Sequence, residues 1–253
     1  MHSCGHTSER ILVLGGTKEA VWLAEQLSAS VQVVYSLAGK TSAPILPKNC
    51  QVRSGGFGGT DGLIQHLRDN NYRAVIDATH PFAKNISRHA KEACFQEQVK
   101  FFAYQRPQWQ AQEGDRWHYI PNKDNLLQVL DQDYKRALVT LGQRELDFFS
   151  ALKTTTLWLR MIHPPETPHF LHHARCRHTI LAKRPPYGFD FECALIHKYA
   201  LECLVTRNSG GIRPAKLDAA RSLNLPVLFL GTPPQAQQGT DLKQFLEEIQ
   251  KIR

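Results

Sequence analysis

Thr79 and His80 lie in the stretch Ala74 to Ala83, which reads Ala-Val-Ile-Asp-Ala-Thr-His-Pro-Phe-Ala. An imidazole ionises near neutral pH, with a reference pKa of about 6.5, so His80 is the candidate catalytic residue for moving a proton. Ala74, Val75 and Ile76 form a short apolar run suited to a strand buried on both faces of a parallel sheet. Asp77 to Pro81 reads as a turn and Phe82 to Gln98 as a helix. The pair therefore sits where a strand ends and a helix begins, the edge at which open α/β sheets bind ligands. A purely structural reading makes Asp77 and Thr79 helix caps, with His80 packed beside them.

Other stretches have the composition of anion cradles. Ile11 to Leu14 is an apolar run that ends in Gly15-Gly16-Thr17 and is followed by a helical segment, Lys18 to Ser28. That order aims backbone N–H groups and the positive end of a helix dipole at a phosphate, although the full G-x-G-x-x-G fingerprint is absent. Val31 to Ser36 is a second strand, leading into Leu37-Ala38-Gly39-Lys40. In a Rossmann-like unit this place faces the adenosine ribose, and Lys40 would hold a 2′-phosphate as a point charge. Gly39-Lys40-Thr41 is not a P-loop, because Val34 stands where its first glycine is required. Gln51 to Ser54 is a short strand followed by Gly55-Gly56-Phe57-Gly58-Gly59, a loop able to press its backbone against a ligand. Thr60 and Asp61 are placed to cap the helix after it.

In the second half, cations and small residues again follow apolar runs. Arg136 to Leu141 precedes Gly142-Gln143-Arg144 and a helix near Glu145 to Leu152; Thr179 to Ala182 precedes Lys183. Leu201 to Thr206 precedes Arg207-Asn208-Ser209-Gly210-Gly211, with Lys216 in the helix beyond. Two glycines beside Asn and Ser suit an anion-binding nest. His169, His172, His173, Cys176 and His178 are dense, but no pair has zinc-site spacing, so no metal is expected.

The elements that position these residues alternate strand and helix, as parallel α/β folds do. We expect two Rossmann-like lobes, a dinucleotide-binding lobe at 1–105 and a linker plus substrate-binding lobe at 106–253, with a cleft between them. Gln105 to Asn122, rich in Pro, Trp and Gln, reads as the crossover; Arg106 stands out in it, and Trp109 and Trp117 read as linker packing. The 253 residues carry 31 basic and 23 acidic side chains, net +8, without a basic run, which favours an anionic small molecule over nucleic acid. No apolar stretch approaches membrane-spanning length, the start is polar, and six scattered cysteines form no Cys-x-x-Cys pair. A cytoplasmic protein is expected; nothing fixes its oligomeric state.

Assembled in order, these motifs resemble the precorrin-6A reductase family of cobalamin biosynthesis. The matching residues are Leu14-Gly15-Gly16-Thr17 with Glu19-Ala20, Ser36-Leu37-Ala38-Gly39, Gly55 to Gly59 and Asp77 to Ala83. Arg106-Pro107, Val205-Thr206, Asn208 to Gly211 and Lys216-Leu217 complete the set, so the resemblance spans Arg10 to Pro233. It departs at Lys40, where Arg is expected, and at Arg207, where Lys is expected. The resemblance implies reduction of a ring double bond of precorrin-6A, or its cobalt-containing counterpart, by NADPH, with NADH possible. It implies nucleotide contacts from Gly15, Gly16, Thr17, Ser36, Leu37, Ala38, Gly39, Lys40, Gly56, Phe57, Gly58, Thr79, His80 and Pro81. Arg106, Arg144, Lys183, Arg207, Asn208, Ser209, Gly210, Gly211 and Lys216 are then the candidates to grip an anionic tetrapyrrole. The competing reading is a non-catalytic dinucleotide-binding redox sensor. A short-chain dehydrogenase is excluded, because the only Tyr-x-x-x-Lys spacing, Tyr119 to Lys123, contains Pro121.

Overall fold

The computed structural model describes residues 10–39, 44–142, 146–162, 176–183, 185–233 and 239–251. Lys40, Arg144 and the histidines at 169, 172 and 173 lie outside them. The described chain forms two compact units, one running to Pro107 and including the stretch from Gly239 onward, the other beginning at Gln108.

In the first unit, β1 (Arg10–Leu14), β2 (Gln32–Leu37), β3 (Gln51–Ser54), β4 (Tyr72–Asp77) and β5 (Lys100–Ala103) form one parallel sheet of order β3-β2-β1-β4-β5. The chain winds one way from β1 to β3 and the other way from β4, so the switch point lies between β1 and β4. Alternation of side chains puts Ile11, Val13, Val33 and Tyr35 against α1 (Lys18–Leu27), and Leu12, Leu14 and Val34 against α2 (Gly59–Asn70) and α3 (Lys84–Gln96). The cap of α2 is Gly58, at φ +83°, and not Thr60 or Asp61; the Thr60 hydroxyl instead donates to Glu92 at 2.8 Å. A Cβ at Gly62 would collide with the Phe57 carbonyl, so that glycine lets the preceding loop fold back on the helix.

The second sheet has order β6-β11-β10-β7-β8-β9, all parallel, from β6 (Trp117–Ile120), β7 (Arg136–Val139), β8 (Thr156–Met161), β9 (His178–Ala182), β10 (Cys203–Thr206) and β11 (Val227–Leu230). Read from β9 to β11 it repeats the winding of the first sheet, with β6 added at the edge and the switch point between β7 and β10. One face packs on α4 (Lys123–Asp133) and a 3₁₀ turn at Asp147–Ala151; the other packs on α5 (Phe189–Lys198) and α6 (Ala215–Ser222).

The sequence-based division needs two corrections. The supposed linker contains β6, and Trp117 is an edge-strand residue whose ring packs at a tilt of 59° against Phe229. The last helix, α7 (Leu242–Gln250), belongs to the first unit, because Phe245 and Ile249 insert into the core against β1, β2 and α1. Its strong amphipathic pattern requires an apolar partner, and the first sheet supplies it. Among the described residues, no helix is long and apolar enough to cross a membrane.

Candidate functional site

The loops after β1 and β4 meet at the first switch point. The Ala78 amide donates to the Leu14 carbonyl at 3.1 Å, and the Thr17 hydroxyl donates to the Ala78 carbonyl at 2.8 Å while accepting from the Ala20 amide at 3.1 Å. Thr17 thus caps α1 and ties the two loops together, leaving only its backbone for a ligand. The Gly16 amide donates to the Tyr35 hydroxyl at 3.0 Å, and burial raises that phenol's pKa, so it stays protonated. Gly15 is glycine for a packing reason, since a Cβ there would collide with the Tyr35 ring. Gly16 is glycine for a backbone reason, with φ at +109°. Within the first turn of α1 the Ala20 and Val21 amides are held by Thr17, which leaves the N–H groups of Lys18 and Glu19 without intrahelical acceptors.

At the carboxyl end of β2, the Ser36 side chain is buried and Gly39 has φ +75°. The Gly55 amide donates to the Leu37 carbonyl at 2.9 Å, which lays the glycine loop beside the end of β2. Arg53, unremarked in the sequence, organises this corner. Its Nη1 donates to the Ser36 hydroxyl at 2.9 Å and the Gly55 carbonyl at 3.1 Å, its Nη2 donates to the Gly56 carbonyl at 3.2 Å, and its guanidinium lies 3.9 Å from the Phe57 ring centroid. The cue available was strand alternation: register sets Arg53 beside Ser36.

Thr79 and His80 follow β4. Asp77 accepts from the Thr79 amide at 3.0 Å and its hydroxyl at 2.7 Å, a local turn and not a helix cap, since α3 begins only at Lys84. His80 Nδ1 accepts from the Phe82 amide at 3.3 Å, which leaves the proton on Nε2. Partial desolvation, and then the positive charge of Arg106, lower the imidazole's pKa, with Glu19 opposing them. His80 is therefore neutral at pH 7 and presents an Nε2–H donor, a poor arrangement for an imidazolium acid. Arg106 belongs to this first unit and not to the second: Nη2 pairs with Glu19 at 2.8 Å, and both side chains are mostly buried. The pair neutralises a carboxylate in the first turn of α1 that would otherwise repel a phosphate.

In the second unit, the structure brings Lys216 to the switch point. Its Nζ donates to Thr140, just after β7, and to Thr206, the last residue of β10, each at 2.8 Å. Desolvation, then Arg160, pushes its pKa down to about 7, with Glu192 opposing. No carboxylate among the described residues pairs with it. Arg207 begins the loop after β10, with Nη1 donating to the Leu230 carbonyl at 3.1 Å. Asn208 is a brace and not a ligand group. Its Oδ1 accepts from the amides of Trp109 and Gly210, and its Nδ2 donates to the Trp109 carbonyl and the Tyr119 hydroxyl, which fills its capacity. Trp109 completes the brace by donating from Nε1 to the Gly211 carbonyl at 3.0 Å. The Gly210 amide is consequently unavailable for a nest, whereas Ser209 remains half-buried at the loop's tip. Lys183 is set apart at the edge strand β9, two strands from β7, with Nζ 3.7 Å from the Phe191 ring centroid. It lines a cavity of about 380 Å³ shared with Phe191, Lys198 and Tyr199. Among the described residues, no cluster of His, Cys, Asp and Glu is arranged to hold a metal.

The family model described as "Precorrin-6x reductase CbiJ/CobK" matches residues 10–250. The chain belongs to the precorrin-6A reductase family. Precorrin-6A reductase of Rhodococcus erythropolis is 39% identical over 231 residues, covering 89% of this chain and 90% of that one. The cobalt-precorrin-6A reductase of Salmonella typhimurium is 28% identical, covering 92% and 90% of the two chains. A solved CobK precorrin-6A reductase superposes with a TM-score of 0.83 at 35% identity and covers 96% of each chain. As a precorrin-6A reductase family member the chain is an oxidoreductase with the two-lobed α/β fold, and the family implies a reduced nicotinamide cofactor.

Proposed function

We propose that the chain reduces a ring double bond of precorrin-6A, giving precorrin-6B, with NADPH as the electron donor. The observation that carries this reading is the family match, which spans both units and includes both switch points. The residues of the first unit fit the cofactor. The first turn of α1 offers the N–H groups of Lys18 and Glu19 to a pyrophosphate, Arg106 cancels the nearby Glu19 charge, and glycines at 16, 39, 55 and 58 hold the loop conformations. Bound reduced nicotinamide supplies the hydride; the protein's part is to bind, orient and exclude water. For the polycarboxylate substrate, Arg207, Ser209 and Lys216 are the anchors we retain, since the net charge of +8 and the switch-point ammonium favour an anion. Nothing favours the sensor reading, which leaves the desolvated Lys216 without a task.

An anaerobic assay with metal-free and cobalt-containing precorrin-6A, and with NADPH or NADH, tests the proposal. NADPH-dependent conversion of the tetrapyrrole is expected; nucleotide binding with no turnover of either tetrapyrrole would return the sensor reading.

The glycine loop gives a sharper check. Gly56 has no positive φ and open space where a Cβ would stand, so Gly56→Val should fold. If the loop's backbone lies against the nucleotide, the branched side chain should weaken binding by roughly 1–3 kcal/mol. Unchanged affinity by calorimetry in a folded variant would make the loop a bare turn.

For His80 the structure favours a neutral hydrogen-bond donor at the reacting end over a proton source. His80→Ala should then lower kcat by roughly five- to ten-fold, the worth of about one neutral hydrogen bond. The pH profile above 6.5 should be unaltered. A loss of about 10²–10⁴-fold, together with a removed pH inflection, would instead make His80 the general acid.

A further inference from the structure

We infer that Arg53 reads the 2′-phosphate that distinguishes NADPH from NADH. The inference rests on the proposal that the first unit binds a nicotinamide nucleotide, and four observations of the chain carry it.

The first is place. Strand register sets Arg53 beside Ser36 at the end of β2, where a Rossmann-like unit meets the adenosine ribose. The second is the missing acid. An NAD-binding unit places Asp or Glu about 20 residues past the glycine turn to accept from the ribose 2′-hydroxyl. Here no acidic residue occurs between Glu25 and Asp61, and Ser36 occupies the position. The third is unneutralised charge. Arg53 is half-buried, and its partners among the described residues are a hydroxyl, two backbone carbonyls and a ring face, with no carboxylate. Desolvation lowers its pKa, yet a guanidinium stays protonated at pH 7, so a partly dehydrated cation stands without a counter-ion.

The fourth is unfilled hydrogen-bonding capacity. A guanidinium has five N–H bonds, and three are directed at Ser36, Gly55 and Gly56. Nε–H and one Nη2–H remain, the number a bidentate grip on a phosphate uses. The Phe57 ring against the guanidinium and the two carbonyls fix the fork's orientation before any ligand arrives. A rigid fork of this kind is selective for a phosphomonoester, whereas a bare ribose hydroxyl gains little from it.

The same contacts give Arg53 a second role as a brace for the glycine loop, so loss of affinity alone does not identify the reader. The ratio of the two nucleotides does. Calorimetric titration of the full chain with NADPH, NADH, 2′,5′-ADP and 5′-AMP should be compared for the wild type, Arg53→Leu and Arg53→Lys. We expect Arg53→Leu to lose about ten- to a hundred-fold for NADPH and 2′,5′-ADP, the scale of a charged hydrogen bond. NADH and 5′-AMP should change by no more than about the few-fold cost of a disturbed neutral contact. Arg53→Lys keeps the charge without the fork and should retain an intermediate preference that weakens with salt. Equal losses for both nucleotides, or an undiminished NADPH preference, would leave Arg53 a brace and overturn the inference while sparing the cofactor reading. A wild type that binds neither nucleotide would overturn both.

Discussion

Lys216→Met is expected to raise KM for precorrin-6A by about ten- to a hundred-fold while raising the protein's thermal stability at pH 6. Both effects follow from one ammonium held by two threonine hydroxyls at the switch point of the second sheet, with no carboxylate among the described residues to pair it. A desolvated cation of this kind is a ready partner for a substrate carboxylate, and a charged hydrogen bond is worth about 1.5–3 kcal/mol. The stability effect has the opposite sign because the free protein bears the desolvation without recompense. The folded pKa is pushed down to about 7 from an ordinary 10.5. Between these values the unfolded chain binds the lysine proton and the folded chain does not, so stability rises with pH across that window. Below about pH 7 both states are protonated and the penalty is complete, which is where Lys216→Met should gain most. Wild-type KM should also climb as pH rises through about 7 and the amine discharges, and this inflection should vanish in the variant. A variant with unchanged KM and a lowered melting temperature would show that the ammonium is a structural tie between β7 and β10.

The first unit was legible because β1, β2 and β4 are largely apolar and buried, and each is closed by glycine or by the Asp-Ala-Thr-His turn. Composition and period suffice when a strand is buried on both faces. They fail at β6, where Trp117-His118-Tyr119-Ile120 alternates in burial on an edge and follows a stretch full of Pro and Gln. They fail again at α7, whose pattern reveals an apolar face but not which sheet it covers. The site divided along the same line. Positions after strands were readable, whereas the use of each side chain depended on distant partners. Thr17 is occupied by Ala78, 61 residues on, and Asn208 by Trp109, 99 residues back. Local sequence shows that such residues are polar and well placed, yet it cannot show that their hydrogen bonds are already filled. Arg53 escaped notice because strand register alone brings Ser36, 17 residues away, beside it, and only the folded-back loop sets Gly55, Gly56 and Phe57 around its guanidinium.

Glu192→Gln should be the most destabilising single substitution in the second unit, at about 3–5 kcal/mol. Arg160 on β8 and Glu192 on α5 pair through Nη1 to both carboxylate oxygens at 2.9 and 2.8 Å, with side-chain exposures of 6% and 2%. Neutralising the glutamate strands the guanidinium away from water, its remaining aromatic neighbour being Tyr187 at 4.3 Å. A buried ion pair as a unit contributes little, because desolvation offsets attraction, so the double variant Arg160→Met with Glu192→Met should recover most of the loss. Guanidinium unfolding midpoints of the full chain measure both. Equal instability of the single and double variants would mean that shape, and not charge, is what the pair provides. The pair also reaches the site electrostatically: Arg160 lowers the Lys216 pKa and Glu192 raises it. In a Glu192→Gln protein that remains folded, the inflection in KM should therefore move below pH 7, and in the double variant it should return toward the wild-type position. The buried ion pair thereby adjusts, beside the larger effect of burial, the protonation of an amine it does not touch, which would tie the stability of the second unit to the proposed role of Lys216 as an anion anchor.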